Sequence, residues 1–142
     1  MIAQRVLVPL DSSPISIQTI KQLTAFKEKF TLPLTLLHVL DLGRLSTLGF
    51  PELSYRQFAE RARGEARKFL EEQQALFAAA GIETETRLEE GPARETICTL
   101  ADSEEFDLLV VGKTNDGDLR KLLFGQVANY IVHHTKCPVL IV

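Results

Sequence analysis

The 142-residue chain reads as an α/β domain built on a doubly wound parallel sheet. Two observations predict that class. Val6–Leu10, Leu34–Leu40, Leu108–Val111 and Pro138–Val142 are nearly unbroken apolar runs. Such runs mark strands covered on both faces, as in parallel sheets. Between them lie stretches whose apolar residues recur at helical spacing. Strand and helix in alternation predict right-handed βαβ units.

Each element has its own signal. Val6–Leu10 opens as the first strand, and Ser13-Pro14 reads as an N-cap with a first-turn proline. Ile17, Ile20 and Leu23 are expected to face inward from that helix. Leu34–Leu40 is the second strand. A long connection, Asp41 to Leu53, follows it at the carboxyl edge of the sheet, where such folds bind ligands. Ser54 and Gln57 have capping-box spacing. Phe58, Ala62, Ala66, Phe69, Leu70, Phe77 and Ala80 continue a helix until Gly81 stops it. Ile82–Glu89 alternates apolar or hydroxyl residues with Glu and Arg, the pattern of a half-exposed edge strand. Pro92 opens a third helix carrying Ile97, Leu100 and Ala101, and a last helix carries Val127, Tyr130 and Ile131.

The bulk composition narrows the function. Residues 1–142 make one ordinary domain, with 45% hydrophobic and 25% charged residues, so a packed core needs no staples. A net charge of -3 without a basic stripe argues against nucleic acid. The apolar stretch near the N-terminus is too short for a signal peptide or a membrane span, so a cytoplasmic protein without a membrane partner is expected. Cys98 and Cys137 lack CxxC spacing and fit a reducing compartment.

Chemistry is expected where strands end. Asp11 follows the first strand, Val39-Leu40-Asp41 closes the second, and Val111-Gly112 closes the fourth. The turn from Val111 to Asp118 is rich in Gly and Asn, a composition that can form amide nests for anions. Gly125-Gln126 precedes Val127, whose helix would aim its N-terminal amides at the same place. The plainer reading is that these glycines make a turn and start a helix. Catalytic readings have less support. His38 sits in an apolar strand as a hydrogen-bonded core residue, and His133-His134 suit a helix C-terminus. The histidines and cysteines show no metal-ligand spacing. A phosphoacceptor receiver domain would need an Asp ending its third strand, where this chain has Leu88-Glu89-Glu90-Gly91.

Taken together, Val6–Asp11, Leu36-Leu37-His38-Val39, Gly91-Pro92-Ala93, Phe106–Gly112 and Cys137–Val142 resemble the universal stress protein family across essentially the whole chain. The resemblance implies a five-stranded parallel sheet in the order 3-2-1-4-5, with helices on both faces. Nucleotide-binding members carry G-x-x-G-(x)9-G-S/T. Gly112 matches the first glycine and Gly125 the third, while Asn115 stands for the second and Gln126 for the Ser or Thr. Val111, just before the first glycine, and Val127, whose helix-terminal amide could hold a phosphate, complete the expected ligand site. By the same resemblance, Asp11 and the backbone of Val39 serve ribose and adenine. ATP or AMP is therefore the expected ligand, with Mg2+ only alongside bound ATP; there is no strong case for turnover, and slow ATP hydrolysis is a distant third reading, since no positioned base is evident. The alternative is a nucleotide-independent, homodimeric interaction module. The family order puts Pro138–Val142 at a sheet edge. That segment is apolar without a charged gatekeeper, so it is expected to pair with a second copy.

Overall fold

A computed structural model describes residues 5–11, 14–25, 34–43, 52–112 and 124–142. Its elements follow the chain as β1 (Val6–Pro9), α1 (Pro14–Ala25), β2 (Leu34–Leu40), α2 (Glu52–Ala79), β3 (Thr84–Glu90), α3 (Ala93–Ser103), β4 (Leu108–Val111), α4 (Phe124–His134) and β5 (Val139–Ile141). All strand pairs are parallel, and the five-stranded sheet has the order β3-β2-β1-β4-β5. This is the expected topology, with the alternating strand β3 at one edge and β5 at the other.

The period of two along β1 splits the core into two layers. Val6 and Val8 point to the face covered by α1 and α2, where they meet Ile20, Leu23, Leu70 and Phe77. Leu7 points to the opposite face, against Ile97 and Ala101 of α3 and Ile131 of α4. Leu7, Leu23 and Phe77 are fully buried. Each side chain of this kind contributes about 1.5–3 kcal/mol relative to exposure.

Two turns show why the boundaries fall where they do. Gly81, at φ 80°, ends α2. The Ile82 N–H donates to the Phe77 carbonyl at 2.9 Å, and the Gly81 N–H donates to that of Ala78 at 3.0 Å. This double closure engages Ile82, so β3 starts at Thr84 rather than at Ile82 as expected. The same closure ends α3, with Phe106 N–H on the Ala101 carbonyl, but there the left-handed residue is Glu105 at φ 54°.

Three expectations need correction. Ile17 is 55% exposed, because the buried stripe of α1 is Ser16, Thr19, Ile20 and Leu23. Phe58 is 38% exposed, and Ala59 takes the inward place at the start of α2. That helix begins at Glu52, so Ser54 lies inside its first turn rather than before it. The Ser13 cap and most of the connection after Asp41 lie outside the described residues.

Candidate functional site

The site is built from the way β1 ends. Pro9 has no N–H to continue the ladder, and the Leu10 N–H makes one more bond, to the Leu37 carbonyl at 2.7 Å. The chain then turns away at Asp11. Ser16, in the first turn of α1, lies against Asp11. Ser16 Oγ accepts from the Asp11 N–H at 2.7 Å and donates to Asp11 Oδ1 at 3.0 Å. One buried hydroxyl therefore fixes both the backbone and the carboxylate of Asp11.

Beside this turn lies a cavity of about 170 Å3. Its sheet side is formed by Pro9, Leu10 and Asp11 from the end of β1, Leu37 and Val39 from β2, and Val111 and Gly112 from β4. Ala93 and Ile97 of α3 with Val127 and Ile131 of α4 form the opposite wall. Ser16 and Thr19 close the α1 side. The walls are mostly apolar, with hydroxyl and carboxylate groups gathered at the β1 end. An apolar space with a few polar groups gathered at one end has the make-up of a small-molecule site. Its position is the switch point between β1 and β4, where α1 leaves β1 for one face of the sheet and α4 leaves β4 for the other.

Asp11, Val39, Val111, Gly112 and Val127 thus line one cavity, as five of the residues singled out in the sequence. Gly125 and Gln126 stand in the first turn of α4, not before it, because the helix starts at Phe124. Both residue types are tolerated there, since first-turn N–H groups have no intrahelical acceptor. Asn115 lies outside the described residues. Ser16 and Thr19 were missed because the apolar count along α1 passed over them. The signal that finds them is the spacing 16, 19, 20, 23, one inward stripe in which two members carry hydroxyls.

His38 is held within the fold by a hydrogen bond and a ring contact. Its Nδ1 lies 2.9 Å from the Leu10 carbonyl oxygen, and its ring packs on Phe69 of α2 at 5.2 Å between centroids. His134, at the end of α4, bonds the Tyr130 carbonyl through Nδ1 at 2.8 Å and stacks on the Tyr130 ring. Cys98 and Cys137 are buried. Burial pushes the Cys98 thiol up to about 11 and raises that of Cys137, so both stay protonated. Among the described residues, no group of three His, Cys, Asp or Glu side chains could hold a metal ion. Among the same residues, no helix is long and apolar enough to cross a membrane.

The fold and site define a doubly wound α/β domain with a mostly apolar cavity at its switch point. The chain belongs to the universal stress protein family, whose model matches residues 3–142. It is 26% identical to universal stress protein MJ0531 of Methanocaldococcus jannaschii over 98% of this chain and 81% of that one. It is also 26% identical to Sll1388 of Synechocystis sp., over 97% and 96% of the two chains. The solved UspA from Lactobacillus plantarum superposes with a TM-score of 0.78 at 24% identity, covering 98% and 97% of the two chains. Likeness at that identity establishes the fold. Other solved neighbours carry ligands: one universal stress protein holds cAMP, that of Archaeoglobus fulgidus holds dAMP, and one from Arabidopsis thaliana holds AMP. Their TM-scores are 0.70, 0.68 and 0.65, at 24%, 20% and 20% identity.

Proposed function

We propose that this domain is a cytoplasmic stress-response module that binds an adenine nucleotide, AMP or ATP, in the cavity beside Asp11. The observation that carries the reading is the Asp11 carboxylate, held by Ser16 at the polar end of an otherwise apolar cavity. Asp11 would accept from ribose, the apolar walls would cover the base, and the Val39 backbone would serve the adenine edge. Amides of Gly112 and of the α4 first turn, Gly125 to Val127, would face the phosphate end. The ligands held by the solved neighbours support the same class.

The phosphate side departs from the family pattern at Asn115 and Gln126. A hydroxyl bonded to a charged phosphate oxygen is worth about 1.5–3 kcal/mol. Its replacement by Gln126 weakens ATP by roughly 10- to 150-fold. AMP, which relies less on that end, is favoured, and Mg2+ enters only as a companion of bound ATP. Heat-denaturing the purified protein should release adenine nucleotide. Asn115→Gly with Gln126→Ser should tighten ATP at least about tenfold. An unchanged ATP affinity in that double variant would refute the role given to Gln126.

A homodimer through β5 completes the proposal. Leu140 and Ile141, at 39% and 46% exposure, leave an apolar edge strand open. This edge also favours a second reading, a nucleotide-independent dimeric interaction module. Released nucleotide separates the two readings.

A further inference from the structure

We infer that His38 is a positioning residue for the nucleotide site, acting through the Leu10 carbonyl rather than by touching ligand. The inference rests on the nucleotide reading above.

The geometry begins with the ladder between β1 and β2. The Leu10 N–H bonds the Leu37 carbonyl, so the next rung would pair the Leu10 carbonyl with the Val39 N–H. The His38 imidazole supplies a donor to that carbonyl instead, at 2.9 Å. A carbonyl can only accept, so Nδ1 carries the hydrogen. The ring cannot swing easily, because Phe69 of α2 packs on it.

The consequence falls on the next residue. Leu10 immediately precedes Asp11, and its carbonyl belongs to the peptide whose N–H is that of Asp11. Fixing the Leu10 oxygen therefore fixes the plane in which the Asp11 N–H meets Ser16 Oγ. His38 and Ser16 grip the same peptide group from opposite ends, one at the oxygen and one at the nitrogen. Together they set the direction in which the Asp11 carboxylate leaves the sheet. The side chain next to His38, Val39, lines the cavity on the other face of β2. A strand residue on the far side of the sheet thus orients the acceptor on the near side.

The test compares donors at one place. Asn carries its amide nitrogen where His carries Nδ1, and Gln carries it near Nε2. In the full chain, His38→Phe keeps a ring against Phe69 but removes the donor. AMP affinity, measured by calorimetry, should fall about tenfold in His38→Phe and in His38→Gln, and should stay within about threefold of wild type in His38→Asn. Wild-type affinity in His38→Phe overturns the inference, as does equal loss in the Asn and Gln variants. Where thermal melts show His38→Phe unfolded, the Asn and Gln pair decides alone. Where the wild type binds no adenine nucleotide, the function reading fails and the tether is read separately in 15N-labelled protein. The Asp11 and Ser16 amide resonances should then move in His38→Gln and hold in His38→Asn. No difference between the two variants overturns the tether as well.

Discussion

Gly91 joins the end of β3 to the start of α3, and replacing it with alanine probes how that junction supports the cavity wall. Its φ is +147°, a conformation that side chains rarely adopt. A Cβ there would meet Thr96 Oγ1 at 2.7 Å. The two effects differ in kind. The backbone strain is about 1–3 kcal/mol and stays whatever the neighbours do. The clash is relieved by turning the Thr96 side chain off its rotamer, at about 0.5–1.5 kcal/mol. Alanine also restricts the unfolded chain, which returns about 0.4–1 kcal/mol. Gly91→Ala should therefore destabilise by about 2 kcal/mol, a drop of roughly 1 M in the urea midpoint. Combining it with Thr96→Ala should recover only the clash component. A double-mutant cycle by urea unfolding separates the two. Gly91→Ala within about 0.5 kcal/mol of wild type would refute the strain argument, and zero coupling to Thr96 would refute the contact. The change should also weaken nucleotide binding, since Ala93 of α3 is part of the wall.

Three further outcomes are expected. The wild type should scatter light as a dimer at tens of micromolar, and Ile141→Lys should give a monomer; Ile141 is the better site than Val139, which packs on the core. Glu105→Gly should raise stability by about 1 kcal/mol in urea unfolding, because it removes a left-handed non-glycine residue at φ 54°. The bidentate Arg63–Glu90 pair and the Arg87–Glu104 pair hold both carboxyls below the usual 4.5 through hydrogen bonds from the guanidiniums. Their folded values lie under the unfolded ones, so this stabilisation is present above pH 4.5 and is lost as pH falls through the depressed values. Glu104→Gln should flatten that acid limb of a stability–pH curve, and an unchanged limb would count against the pairs.

The sheet was legible in the sequence because parallel strands buried on both faces leave unbroken apolar runs. Its order came from the family resemblance, and the alternation in β3 agreed with an edge place. The strand-end residues Asp11, Val39 and Gly112 were legible for a related reason: the ends of strands at a switch point are fixed by topology. What escaped were groups whose role depends on orientation. Apolar counting along α1 chose Ile17 and passed over Ser16, because a buried hydroxyl looks like a surface residue until its partner is known. His38 was legible as a hydrogen-bonded histidine, though it is half-buried rather than in the core, and its acceptor lies 28 positions away, at Leu10, where no local pattern names it. The start of α4 was placed too late, since glycine and glutamine signal a helix start without saying which turn they occupy.

Calorimetric titration of AMP and ATP into the wild type and Asp11→Ala tests the central claim most directly. The account predicts saturable binding to the wild type, with AMP at least as tight as ATP, and none to Asp11→Ala. No binding to the wild type, or the same affinity in Asp11→Ala, would contradict it.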